Sequence, residues 1–285
     1  MRPEGQTIHP SRDRPFVASG RRRSVAILAA VAVVVSLVAW GVTRVIFTGG
    51  VKVPLASGCR VVTKAGTSIL DLEQGANAAT IAAVGHKLAL PDHAVTVALA
   101  TALQESKLVN LTGGDRDSVG LFQQRPSQGW GTPSQLINPL YATSAFYNAL
   151  TKVPGWQTLE VTRAAQDVQH SAAPSAYAVH EAEARTLAVA LTGEAPAAFS
   201  CRFHPTRRLS ATSSALWRSA LGAELGDAAP GTPVSASTGW TLAGWLVGHA
   251  PKYGFASVSF EGRTWRPGPG QWVAGGAADG AVHVT

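Results

Sequence analysis

The chain has 285 residues, room for one or two domains with accessory segments; 46% of them are hydrophobic, 14% are charged, and the formal net charge is +7. Residues 1–23 hold six arginines against Glu4 and Asp13, a net +4, which leaves the remainder at +3 and close to balanced. No basic stripe with interleaved aromatics occurs outside that tail, which argues against nucleic-acid binding.

In chain order, the basic tail (1–23) meets an uncharged apolar run of 18 residues, Val25 to Val42, which Val45, Ile46 and Phe47 extend past Arg44. The length suits one helical crossing of a bilayer, so 24–47 is read as a single transmembrane helix. Arg21, Arg22 and Arg23 abut its start, which places the tail in the cytoplasm and everything after residue 47 outside the membrane. The alternative is a cleaved signal peptide, but the run exceeds the usual apolar region and no small-x-small site follows it. Residues 48–67 read as a short stalk.

From residue 68 the pattern becomes helical. Gly75 to Leu90 carries Ile81, Val84 and Leu88 at helical spacing and stops at Pro91. Asp92 is read as the cap of the next helix, "HAVTVALATALQESKL" (93–108), which is apolar on nearly every side and is expected at the centre of the domain. A glycine-bearing loop follows, then helices over 139–152, 161–170 and 175–191. Nothing there alternates with period two, so 68–203 reads as an all-α domain. Residues 204–212 form a linker. Residues 213–285 read as a small α+β unit: helices over 213–225 and 240–253, a hairpin around Glu261-Gly262, and short strands at "QWV" and "AVHVT". The overall fold class is α+β. Cys59 and Cys201, the two cysteines, flank the helical domain and are expected to form a disulfide, which persists outside the membrane; two unrelated buried thiols are the alternative. The two cysteines are not read as a zinc site, and no metal site is expected.

The chemistry centres on Glu105, a lone acid at the end of the apolar helix. Desolvation of a carboxyl favours its neutral, proton-donating form, as glycosidic cleavage requires. Taken by itself, a glutamate at a helix end is more often a capping or surface residue. In the loop beyond it, glycines permit close backbone approach, Gln123 and Gln124 offer amides to sugar hydroxyls or acetamido groups, and Trp130 offers a stacking face. Asp117, in the turn-like "GDRDS", is a candidate second carboxylate.

The stretch "ESKLVNLTGGDRDSVGLFQQRP" resembles the soluble lytic transglycosylase and goose-type lysozyme pattern. Glu105 and Ser106 close a helix; Gly120, Leu121, Phe122 in place of Met, Gln123 and Pro126 follow. The longer run "GDRDSVGLFQQRPSQGWGT", with "AAQDVQHSAAPSAY" later, looks like the lysozyme-like domains of actinobacterial cell-wall proteins, over roughly residues 76–182. The resemblance implies a lysozyme-like fold, peptidoglycan glycan strands as substrate, no cofactor, and Glu105 acting first as acid and then as base while the MurNAc 6-hydroxyl attacks to leave a 1,6-anhydro end. Ser106, Asp117, Gly120, Gln123, Gln124, Trp130 and Gln169 are the candidate substrate-binding residues. The family's Ala-Tyr-Asn segment is replaced here by "AAQDVQHS", which keeps hydrolytic cleavage, or binding without cleavage, as alternatives. The C-terminal unit resembles half of a small domain related to D-Ala-D-Ala carboxypeptidases, but of its metal-binding His-x-His only His283 is present, with Ala281 at the partner position. That implies a degenerate unit suited to wall binding or to docking an envelope protein. Trp240, Trp245, Trp265 and Trp272 are first of all core candidates.

Overall fold

The computed structural model describes residues 56–285, apart from 172, 174, 207 and 208, together with Ser36. The expected tail and membrane-spanning segment, Ser36 excepted, and stalk residues 48–55 lie outside the described residues. Among the described residues no helix is long and apolar enough to cross a membrane.

The first described element is a strand, β1 (Gly58–Val62), in which Cys59 and Val61 point inward while Arg60 and Val62 face out. β2 (Thr67–Leu70) pairs antiparallel with one edge of β1, and β3 (Phe199–Arg202) with the other. Cys59 lies opposite Cys201 in that register, and the two are disulfide-bonded across 142 positions of sequence. Two expectations are corrected here. The end of the stalk is a strand, and the helical domain carries β2 and β3 at its two ends. Each strand has only four or five residues, too few for a readable alternation, and they meet only after the whole helical segment has folded between them.

Helix α1 (Leu72–Lys87) starts at a reciprocal capping box, in which Asp71 accepts from the backbone of Gln74 and the Gln74 side chain accepts from that of Asp71. Gly75 faces the disulfide: a Cβ there would run into Cys59 Sγ. Helix α2 (Asp92–Ser106) is buried at every residue from Ala94 to Leu103. Its polar exceptions are self-satisfied, since the Thr96 and Thr101 hydroxyls donate to the carbonyls of Asp92 and Val97 at 2.9 and 2.8 Å. Asp92 is the first helical residue rather than the cap, a position held by Pro91. Around α2 pack α4 (Pro139–Leu150), α5 (Val161–Gln169) and α6 (Glu181–Leu191), with the short α3 (Pro133–Leu136) set against α4. The last begins later than the sequence pattern suggests, because residues 178–180 form a 3-10 turn first.

Helices α7 (Ala211–Leu225) and α8 (Ala236–Tyr253) lead to a four-stranded antiparallel sheet of order β6-β5-β4-β7: β4 (Val258–Phe260), β5 (Arg263–Arg266), β6 (Gln271–Ala274) and β7 (His283–Val284). The α+β content expected of this segment is present. It shares one core with the helical part, and residues 56–285 form a single compact unit. Gly248 of α8 lets that helix approach α1 at Ala79 and the Gly75 carbonyl. Half-buried Glu224 accepts from Thr80 Oγ1 at 2.8 Å and Trp245 Nε1 at 2.7 Å, joining α1, α7 and α8. Trp265 Nε1 donates to the Cys201 carbonyl at 3.0 Å, joining the second sheet to the first. Trp240, Trp245 and Trp265 are buried and Trp272 is half-buried, its indole N–H spent on the Phe199 carbonyl; the tryptophans build core.

The disulfide closes a loop that contains the whole helical segment. Replacing Cys59 and Cys201 by serine should lower stability by about 2–5 kcal/mol, measured by urea unfolding of oxidised wild type against the double variant at equal slope. Equal midpoints would show that the bond contributes nothing.

Candidate active site

A buried helix must end somewhere, and its last carbonyls then need donors. Helix α2 ends through two successive left-handed residues, Lys107 and Leu108, at φ 57° and 61°. Their amides return to Leu103 and Ala102 at 3.1 Å each. Their carbonyls accept from α1: Gln74 Nε2 donates to Lys107 at 2.8 Å, and Asn77 Nδ2 to Leu108 at 2.7 Å. Glu105 and Ser106 therefore sit on a turn whose exit is fixed from both sides.

Ser106 is buried, and its hydroxyl donates to the Leu121 carbonyl at 2.7 Å. That bond hangs the Gly120-Leu121-Phe122-Gln123 segment on the end of α2. Gln169, at the end of α5, donates its amide to the Phe122 carbonyl at 2.8 Å. Phe122 is fully buried and stacks on Phe146 with ring centroids 4.6 Å apart. Gly120 has φ +78°, and a Cβ there would collide with the Leu136 carbonyl; a side chain is excluded twice over. Gln124 is 2% exposed and donates to the Ala142 carbonyl at 3.2 Å. Gln123, half-buried, donates to the Gly120 carbonyl at 3.1 Å, and its amide oxygen fills the space a side chain at Gly114 would need. Of the residues expected to contact a ligand, Ser106, Gly120 and Gln124 thus hold the loop together instead of facing outward.

Asp117 occupies the loop's outer end. It accepts from Arg125 Nε at 2.9 Å, the Ser127 amide at 2.7 Å and the Ser127 hydroxyl at 3.0 Å. The Ser127 backbone bond, then Arg125 and the Ser127 hydroxyl, hold its carboxyl far below the usual range. This carboxylate is committed to loop closure.

Glu105 is treated differently. It is half-buried, and its Oε1 accepts from the Tyr177 hydroxyl at 2.7 Å. Among the described residues it forms no ion pair. Tyr177 is fully buried; burial, then the hydrogen bond to Glu105 and its charge, push the phenol well up, so it stays a hydroxyl donor. Sequence reasoning missed Tyr177 as a site residue, since a single tyrosine in a short turn gives no periodic signal. Three residues on, His180 Nε2 lies 3.1 Å from Gln104 Oε1 and 3.2 Å from Lys107 Nζ. Burial, then the Lys107 charge, lower its pKa against the opposing charge of Glu183. The last turn of α2 is thereby cross-linked to residues 177–180 on both sides of Glu105.

Trp130 and Gln169 line an open groove of about 990 Å³ with Gln128, Asn148, Lys152 and His170. Its Gln169 end adjoins the loop that Ser106 supports, while Glu105 itself lies outside it. Among the described residues there is no group of three or more potential metal ligands, and His283 pairs with Asp279 at 3.0 Å. In comparisons with known protein families and with curated proteins, nothing matches this chain.

The Asp117 arrangement makes a pH statement. A depressed carboxyl contributes stability that is present above its unfolded value, about 3.9, and is lost only as pH falls through the lower folded value. Asp117 should therefore stay ionised in a carboxyl NMR titration where free aspartate protonates. Asp117→Asn should speed hydrogen exchange at the Ser127 amide; unchanged exchange would mean that the loop closes without it.

Proposed function

We propose that this chain cleaves peptidoglycan glycan strands outside the membrane, as a lysozyme-like enzyme of the lytic transglycosylase type anchored by residues 24–47. The observation that carries this reading is the setting of Glu105: a carboxyl at the end of a helix buried on every side, oriented by a buried tyrosine and free of any cation partner among the described residues. Such a group can give up and take back a proton at a fixed place. The motif around Glu105, the tryptophan-and-amide groove beyond the loop and the disulfide, which suits an oxidising compartment, support the same reading.

In this reading, protonated Glu105 donates to the glycosidic oxygen as the C1–O bond breaks. The MurNAc 6-hydroxyl then attacks C1 and its proton passes to the Glu105 carboxylate. The new C1–O6 bond makes the 1,6-anhydro end, and the enzyme returns to its starting protonation. Asp117, already bound by Arg125 and Ser127, is poorly placed to activate water as a second carboxylate, which favours internal attack over hydrolysis.

Mass spectrometry of products from purified peptidoglycan tests this. Anhydro ends are expected from wild type; reducing ends would indicate hydrolysis, and no products would indicate a wall-binding protein. Glu105→Gln should lower turnover by about 10²–10⁴-fold with the fold intact, since the amide keeps the shape but carries no transferable acid proton. Tyr177→Phe should cost roughly 10–100-fold, the value of a hydrogen bond to a charged group. Asp117→Asn should cost much less than Glu105→Gln. Full activity in Glu105→Gln would mean that another acid does the work.

A further inference from the structure

The outer face of the β2-β1-β3 sheet sets exposed aliphatic side chains among arginines. Alternation sends Arg60 and Val62 of β1 outward, with Ile69 of β2 directly across from Arg60. Ile69 is 69% exposed and Val62 49%, two large aliphatic side chains diagonal to each other on the outer face of a short sheet. Arg202 of β3, Arg263 of β5 and the half-buried Trp272 line the same groove, of about 560 Å³. No acidic residue lines it. Among the described residues Arg60 and Arg263 form no ion pair. Arg202 gives two N–H groups to the Pro269 carbonyl, at 3.0 and 2.6 Å, which leaves its charge uncompensated.

We propose that this face docks on an anionic bilayer surface, with Ile69 and Val62 entering the headgroup boundary and Arg60, Arg202 and Arg263 pairing with lipid phosphates. Unpaired arginines around exposed aliphatics match that chemistry: apolar area enters the interface while guanidinium groups bind phosphate bidentately. The place of the face in the chain points the same way. Ala56 and Ser57, where the described chain begins, line this groove. Only residues 48–55 separate them from the apolar segment ending at Phe47, and eight residues reach at most about 29 Å. The inference rests on reading 24–47 as a membrane anchor. A face so tethered would hold the domain against the membrane and set its orientation toward the wall.

The test uses the full chain with Ile69→Cys carrying an environment-sensitive fluorophore, reconstituted with vesicles of phosphatidylcholine alone or mixed with phosphatidylglycerol. The label should shift to the blue only with the anionic lipid, and high salt should abolish the shift. Adding Arg60→Ala and Arg263→Ala should lower the docking equilibrium constant about 25-fold, taking roughly fivefold per arginine at an anionic surface. Vesicle flotation separates the two readings. A chain that floats with phosphatidylcholine alone is anchored; one that floats only with phosphatidylglycerol is not, and the label still reports whether the face docks. Equal emission with both lipids overturns the proposal. So does a label that answers only to phosphate-bearing wall polymer, which would assign the face to the wall.

Discussion

The arrangement around Glu105 depends on how helix α2 ends inside the protein. The last carbonyls of the helix are met by the amides that follow it, Lys107 to Leu103, Leu108 to Ala102 and Val109 to Ser106, and α1 fixes the turn beyond through Gln74 on the Lys107 carbonyl and Asn77 on the Leu108 carbonyl. The turn that presents those carbonyls places two non-glycine residues in the left-handed region, at roughly 1–2 kcal/mol each. In return the end of α2 has one exit direction. Ser106 meets Leu121, Glu105 meets Tyr177, and the loop can be hung at defined points instead of being held by a strand ladder.

That loop shows how a segment without regular structure is kept rigid. Its backbone carbonyls are satisfied one by one by side chains from elsewhere, Ser106 from α2 and Gln169 from α5. Phe122 anchors it in the core, and Asp117 pins its outer end through Arg125 and Ser127. Amides and hydroxyls that look like ligand-binding groups in the sequence are largely consumed in bracing the loop. What remains beside the loop for chemistry is Glu105, a carboxylate whose described side-chain partner is the neutral Tyr177 hydroxyl.

Much of this could be read from the residues alone. The run from Ala94 to Leu103 has no polar face, so its central burial follows from composition. Glu105 stands out because it is the first acid after that run, and two cysteines permit one pairing. The three-stranded sheet could not be read: its strands are short, and β3 lies some 130 residues from β2. Nor could the inward role of Gln124, since a buried glutamine and a ligand-binding glutamine look alike until the Ala142 carbonyl is seen beside it. Tyr177 needed the fold as well, because its partner lies 72 positions away. The joining of the C-terminal segment to the helical part rests on long-range contacts such as Trp265 to Cys201, which no local pattern announces.

The disulfide also has a mechanical meaning. β1 is the first described strand, and Cys59 within it is bonded directly to Cys201. A pull applied at Ala56 and resisted at the C-terminal sheet crosses that covalent bond and continues along Phe203, whose amide is bonded to the Pro267 carbonyl at 3.1 Å. The covalent path between the two points bypasses residues 60–200, which include α2, Glu105 and the loop hung from Ser106. The helical segment is a side branch of this covalent path, so tension between Ala56 and the C-terminal sheet is carried past Glu105 rather than through it.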